Sequence, residues 1–259
     1  MDENQVAAAS LYSVAVVEVL KLKWLIVLLK KSVRQILSVF QWDPWFGKSW
    51  SQEGEDRILE RIFEGKTSGF YIDVGAHHPM RFSNTYLFYK KGWCGINIDA
   101  MPGSMRSFQK FRSRDINIEA GVGLSECELD YYIFNEPALN GFSSELSSAR
   151  NVEDSSYKII RTEKVKVLTL CQILEANCSE GQLIDFMSVD VEGLDLDVLS
   201  SNDWERFRPV YVLAELLESD FTEIDRDKVV LLMRSKGYKV FAKCVNTVFF
   251  KDAQGKRHE

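Results

Sequence analysis

From about residue 53 onward, apolar positions along the chain switch repeatedly between a helical and an extended period. Ile58, Leu59, Ile62 and Phe63 make a helical stripe within Glu53–Phe63, and Gly69–Val74 then reads as a buried strand. Ser83 is placed to cap a helix carrying Tyr86, Leu87, Phe88 and Tyr89, which Gly92 ends. Cys94–Asp99 reads as a second strand, Pro102 as the first-turn proline of a helix running to about Phe111, and Ile116–Ala120 as a third strand. Leu129–Phe134 alternates like an edge or hairpin strand, and Val165–Val167 leads into a helix over Thr169–Ala176. A strand at Leu183–Val189, a helix after Asp195, a strand at Pro209–Glu215 and a helix at Phe221–Ser235 follow, closed by strands at Tyr238–Lys243 and Thr247–Phe250. Alternating strands and helices that end in a hairpin predict an α/β fold, a doubly wound, mostly parallel sheet with one antiparallel strand.

Asn135–Ser156 breaks this rhythm. It is polar, rich in Ser and Asn and nearly without periodicity, so a long loop of the lid type is expected, with Phe142 closing over an acceptor.

The amino-terminal segment differs in kind. Ala7–Leu29 is mostly apolar but contains Glu18, Lys21 and Lys23, which make a spanning helix costly. It lacks an early basic region and a small-residue cleavage site, so a cleaved signal peptide is not expected. Leu20–Arg34 holds Lys21, Lys23, Lys30, Lys31 and Arg34 and no acid. Residues 7–34 therefore have two readings: a helix lying on an anionic membrane surface, Trp24 included, or a helix packed on the domain or on a second subunit of a homo-oligomer. Gln41–Gly47 reads as a turn-rich linker, which divides the chain into a helical extension (1–40), a linker (41–50) and a single domain (51–259).

Charge and composition narrow the function. A chain of 259 residues can bury a substantial core, and its net charge of −6 leaves about −11 outside the basic segment, which argues against a nucleic-acid partner. The five cysteines, Cys94, Cys127, Cys171, Cys178 and Cys244, are scattered with no C-x-x-C pair. Thiols of that kind suit a reducing compartment, hence a cytoplasmic location, at the inner membrane surface if the basic helix binds there.

The chemistry concentrates in Gly69–Pro79. An apolar strand closes on Asp73-Val74-Gly75-Ala76-His77-His78-Pro79, where Gly75 can take an unusual φ and leave room for a ligand. Such a loop at the end of the first strand of an α/β sheet is a nucleotide or nucleoside site, or simply a tight turn. Asp99, 26 residues after Asp73, closes the next strand where a carboxylate can accept both ribose hydroxyls. The loop lacks the G-x-G-x-x-G spacing that a pyrophosphate needs, so the ligand is better read as a nucleoside without one. S-adenosylmethionine fits and NAD does not.

Asp190-Val191-Glu192-Gly193 ends the predicted fourth strand of the sheet, at the same crevice. Alternation puts Asp190 and Glu192 on one side of an extended segment, where two carboxylates can position an acceptor hydroxyl, take its proton or hold a divalent cation. The structural alternative is that one caps a helix and the other pairs with an Arg or Lys. Apart from His258, the histidines are His77 and His78, and either imidazole can serve as a base near neutral pH, join a metal site, or simply shape its loop through a backbone hydrogen bond. Arg81 and Asn84 follow as candidates for binding a polar acceptor.

The chain resembles the FkbM family of S-adenosylmethionine-dependent methyltransferases. The matching segments are Ser51–Asp56, Phe70–Pro79, Arg81–Thr85, Gly95–Ser104 and Ser188–Gly193, in that order. The resemblance runs from about Ser51 to about Phe250 and leaves out the first 50 residues. It implies a class I methyltransferase fold with a seven-stranded Rossmann-like sheet, S-adenosylmethionine as donor and an oxygen acceptor. On that footing Asp73, Gly75 and Ala76 meet the amino-acid end of the donor, Asp99 the ribose, and Ala100 or Met101 the adenine. The expected acceptor is a sugar, glycolipid or other small hydroxylated metabolite, as in polysaccharide biosynthesis. Two other readings stand beside it: a binding module that keeps the donor pocket without transfer, and a membrane-associated or subunit-assembly scaffold built around the amino-terminal helix.

Overall fold

The computed structural model describes residues 24–33, 47–152, 154–216 and 222–254. The expectations for residues 7–23, 34–46 and Phe221 lie outside them. Two compact units separate at residue 48, Met1–Lys48 and Ser49–Glu259. In the first, residues 24–33 are helical (α1). No helix among the described residues is long and apolar enough to cross a membrane.

The second unit opens with α2 (Glu55–Ile62), which carries Glu55 and Asp56 in its first turn and Arg61 in its last, the charge order its dipole favours. Strand β1 (Phe70–Val74), helix α3 (Tyr86–Lys90), strand β2 (Cys94–Asp99), helix α4 (Met105–Phe111) and strand β3 (Ile116–Glu119) follow. After strands β4 (Gly121–Val122) and β5 (Cys127–Phe134) come helix α5 (Ser144–Arg150), strand β6 (Ile159–Leu168) and helix α6 (Leu170–Asn177), whose N-terminus is closed by a Thr169–Gln172 capping box. Strand β7 (Phe186–Val189), helix α7 (Asp195–Ser200), strand β8 (Tyr211–Glu215), helix α8 (Lys228–Ser235) and strands β9 (Tyr238–Cys244) and β10 (Thr247–Asp252) complete it.

Seven strands form the main sheet in the order β3-β2-β1-β7-β8-β10-β9. β1 pairs in parallel with β2 and β7, while β10 runs antiparallel to both β8 and β9. This is the doubly wound sheet expected from the periodicity, with its single reversed strand. Alternate side chains feed two cores. Ile72, Val74, Ile98, Met187, Val189 and Val212 meet α6, α7 and α8 on one face, and Tyr71, Phe186, Tyr211 and Phe249 meet α2 and α3 on the other. Strand order reverses between β1 and β7, which opens a crevice beyond their carboxyl ends.

Three expectations need correction, though not the edge-strand reading of Leu129–Phe134, which forms part of β5 at the edge of a second sheet of order β4-β6-β5. There β6 starts at Ile159, ahead of Val165, because its outer half is exposed and paired across the ladder by charges such as Lys164 with Asp130 (2.8 Å), which leave no apolar period. The expected loop at 135–156 contains α5, a short polar helix (SELSSAR) without an apolar stripe. Pro102 lies in a turn, three residues before α4 begins. Ser83 behaves nearly as expected: the Tyr86 amide donates to its hydroxyl (3.1 Å) from the first turn of α3.

Beneath the crevice lies a buried polar network centred on Arg112, which has no solvent exposure. Its guanidinium donates to Asp115 Oδ2 (2.8 Å), the Tyr71 hydroxyl (2.8 Å), Thr85 Oγ1 (3.0 Å), Asn97 Oδ1 (3.2 Å) and the Pro79 carbonyl (3.1 Å). Thr85 in turn donates to Asp73 Oδ2 (2.6 Å). Breaking a buried, hydrogen-bonded ion pair from one side leaves an uncompensated charge at a cost of about 3–5 kcal/mol. Arg112→Ala should lower unfolding free energy by about that amount in a denaturant titration, and Arg112→Lys should recover only part of it, because an ammonium cannot reproduce the planar fork.

Candidate functional site

The loops after β1, β2 and β7 wall a cavity of about 790 Å³, its open mouth included. β1 delivers Val74 to its floor, and the chain turns through Gly75 at φ 81 and His77 at φ 54. A Cβ on Gly75 would land on the carbonyl oxygen of Asp190. Glycine is thus required by the approach of the β7 loop, and the room once assigned to a ligand is filled by protein. The Gly75 and Ala76 amides both donate to the Ile98 carbonyl (2.9 and 3.0 Å). Asp99 completes the fastening, Oδ2 accepting from the His77 amide (2.7 Å) and Oδ1 from the Met101 amide (2.8 Å). Burial pushes the Asp99 carboxyl upward in pKa, and those two amides work against the shift.

Three of the four non-glycine residues at positive φ among the described residues, His77, Phe82 and Glu192, line this cavity. Left-handed backbone costs about 1–2 kcal/mol in such residues, and strain of this kind gathers where a site dictates side-chain direction. His77 shows the result. The residue lines the cavity, and its Nε2 is buried with no hydrogen-bond partner among the described residues. Burial, with Arg81 and His78 beside it, lowers its pKa and keeps the ring neutral. His78 takes the structural role instead: its Nδ1 accepts from the Met80 and Arg81 amides (3.1 and 2.9 Å) and holds the loop, outside the cavity wall.

The expected residues divide. Gly75, His77, Asp99, Ala100, Phe142, Asp190 and Glu192 come together around the one cavity. Asp73 does not join them; its buried carboxylate turns to Thr85 in the Arg112 network, and burial raises its pKa to about 6. Ala76 packs with Met105 and Phe108 beneath the loop. Met101 contributes its amide to Asp99 and its sulfur to the Asn140 side-chain amide, and Ala100 faces the cavity in its place. Arg81 is exposed, paired with Glu136 (3.2 Å). Phe142 packs edge-on against Tyr131 (centroids 4.8 Å apart) in a cluster with Ala100, on the β2 side. Asn84 donates to Ser188 Oγ (3.0 Å) and lines a smaller cavity that shares Gln52, Phe82 and Asp190 with the larger one.

Nor do Asp190 and Glu192 behave as a pair. Glu192 sits at φ 54, where the segment is no longer extended, and its Oε2 accepts from Arg150 of α5 at 2.6 Å. Among the described residues, the metal-ligating groups that do converge within 4.8 Å are Glu53, Glu55 and Cys244.

Sequence reasoning missed Gln52, Phe82, Tyr131, Asn140 and Glu215. Glu215 had a legible signal, since it closes an apolar strand as Asp190 does. Tyr131 and Asn140 lie in or after the second sheet, whose position over the crevice no local pattern announces.

Residues 73–240 match the methyltransferase FkbM domain, well over half of the chain. The chain belongs to the FkbM methyltransferase family. Among solved structures it is similar to a TehB-like SAM-dependent methyltransferase from Corynebacterium glutamicum ATCC 13032 Kitasato, at 9% identity and TM-score 0.38 over 86% of this chain and 96% of that one. It is also similar to a protein assigned as a type 11 methyltransferase from Sulfolobus solfataricus, at 12% identity and TM-score 0.38 over 82% and 98% of the two chains. No curated protein matches it.

In this FkbM methyltransferase the acidic end of the crevice holds an unusual charge arrangement. Asp190 is exposed to the cavity, and desolvation of its carboxyl, with Glu215 and Glu192 nearby, drives its pKa well up. Glu215 lines the smaller cavity with it, and burial and Glu192 push its pKa up to about 7. Both carboxyls are therefore shifted toward the protonated form. Folded-state pKa values above the unfolded ones mean the fold binds extra protons, so this contribution is full below about pH 4.5 and is lost as pH rises through about 7. Melting curves of wild type and Glu215→Gln should converge near pH 4.5 and separate near pH 8, the variant melting higher at the alkaline end; parallel curves would show that the Glu215 pKa is not raised by folding.

Proposed function

We propose that this FkbM methyltransferase transfers a methyl group from S-adenosylmethionine to a hydroxyl of a sugar, glycolipid or other small hydroxylated metabolite. One observation carries the reading: a ribose-type carboxylate (Asp99), an apolar slot (Ala100, Tyr131, Phe142) and a buried, neutral, unpartnered imidazole (His77) face a single cavity. The donor fits that set. When bound, S-adenosylmethionine supplies a methyl group already activated on a sulfonium, so the protein's part is placement and proton transfer.

Each carboxylate oxygen of Asp99 spends one acceptor site on a loop amide and keeps another for a ribose hydroxyl. Ala100, Tyr131 and Phe142 enclose the base. His77 Nε2 takes the acceptor's hydroxyl proton as its oxygen attacks, the neutral ring being the form able to accept it. Glu136, which favours the charged ring, steadies the imidazolium that results. Gln52, Asn84 and the Asp190–Glu215 pair line the smaller cavity and orient the acceptor through hydrogen bonds. A sugar acceptor would place the enzyme in polysaccharide biosynthesis.

Calorimetric titration of the purified protein with S-adenosylmethionine and S-adenosylhomocysteine should give micromolar binding. Asp99→Ala should weaken it by about tenfold or more, the loss of charged hydrogen bonds. His77→Ala should bind the donor normally and turn over about 10²–10⁴ times more slowly. Folded protein that binds neither compound overturns the assignment. Donor binding with no product across a hydroxylated acceptor panel supports a binding module in place of an enzyme, and activity abolished by chelators brings a divalent cation into the mechanism.

A further inference from the structure

The site leaves α1 unused, and that helix carries a separate function. All ten of residues 24–33 are exposed, among them Trp24 at 69%, Leu25 at 59%, Leu29 at 63% and Val33 at 47%. At about 100° per residue, Leu25, Leu29 and Val33 fall on one line along the helix, with Ile26 and Leu28 widening it. Lys31 stands opposite that stripe and Lys30 at its flank, where long side chains can reach up from an apolar boundary. Flanking sequence adds Lys21, Lys23 and Arg34 and no acid between Leu20 and Arg34, while the rest of the chain carries about −11.

Trp24 and Val27 share Lys31's side of the helix, so the segment is apolar around most of its circumference and Lys30 and Lys31 are its charges, a combination complementary to an apolar layer roofed by negative charge. The six consecutive apolar residues Trp24–Leu29 rise about 9 Å, far short of a bilayer's hydrocarbon core of about 30 Å. That length suits a helix lying in the plane of one leaflet. We propose that residues 24–33 anchor the protein to the surface of a lipid bilayer bearing anionic headgroups, aliphatic stripe inward and lysines at the headgroup level. The anchor is independent of the methyl-transfer reading and brings the site to a surface where lipid-linked hydroxyl acceptors are held.

Density-gradient flotation of the full chain tests it, using phosphatidylcholine vesicles with and without phosphatidylglycerol. The chain should float with the mixed vesicles and stay behind with phosphatidylcholine alone, and salt should weaken the association. Lys30→Gln/Lys31→Gln should reduce partitioning about 30-fold, at roughly 1 kcal/mol for each basic residue near the surface. Leu25→Glu/Leu29→Glu should abolish it. Both changes are on exposed positions, so circular dichroism and donor binding of the variants should match wild type. Failure to float with anionic vesicles overturns the proposal, as does equal flotation of the Leu25→Glu/Leu29→Glu variant. Light scattering that shows a multimer dissolved by that variant, without flotation, would assign the stripe to a second copy of the chain.

Discussion

A charged guanidinium with no access to water sits under the crevice, and the loop geometry above it depends on it. Arg112 joins β1 through Tyr71, β2 through Asn97, the start of α3 through Thr85, and the Asp73–Pro79 loop through the Pro79 carbonyl. Burial opposes its charge, and Tyr71, Asp115 and Asp73 outweigh that penalty. An ion buried this way is tolerated only when its donors are satisfied and its charge balanced, so the segments that supply the acceptors have little freedom to move apart. The loop that would otherwise be a flexible turn is held at both ends, by Arg112 at Pro79 and by the Ile98 carbonyl at Gly75.

That rigidity is what lets His77 and Glu192 stay in left-handed backbone. A strained residue keeps its conformation only when its neighbours leave it no alternative. The Asp99 carboxylate grips the His77 amide, Arg150 grips the Glu192 carboxylate, and the Gly75–Asp190 approach brings the two loops into contact. The imidazole is delivered to the cavity by backbone, while its neighbour His78 faces the loop amides and serves as a structural strut.

The carboxylates show how environment separates roles within one residue type. Asp73 is absorbed into the scaffold, Asp99 ties two loops beside the cavity, and Asp190 stands with Glu215 at the acidic end, where desolvation raises both pKa values. Glu192 holds α5 against the cavity rim through Arg150. The crevice thus carries an apolar cluster on the β2 side and a group of carboxyls at the other end.

The order of elements, the parallel sheet with its reversed strand, and the crevice at β1 and β7 were readable from the chain, because buried strands and amphipathic helices write their burial as local periodicity. The motif positions Gly75, Asp99 and Asp190 were readable for a related reason, since each ends a strand and strand ends converge at the switch point. Tertiary structure alone decided which side chains face the cavity: Asp73 and Asp99 close neighbouring strands, yet one turns to Thr85 and the other to the loop amides. It alone showed Arg112 beneath the site, α5 within a stretch without periodicity, and the second sheet bringing Tyr131 over β2. These depend on partners distant in sequence, and a local pattern records that a residue is buried, not what it is buried against.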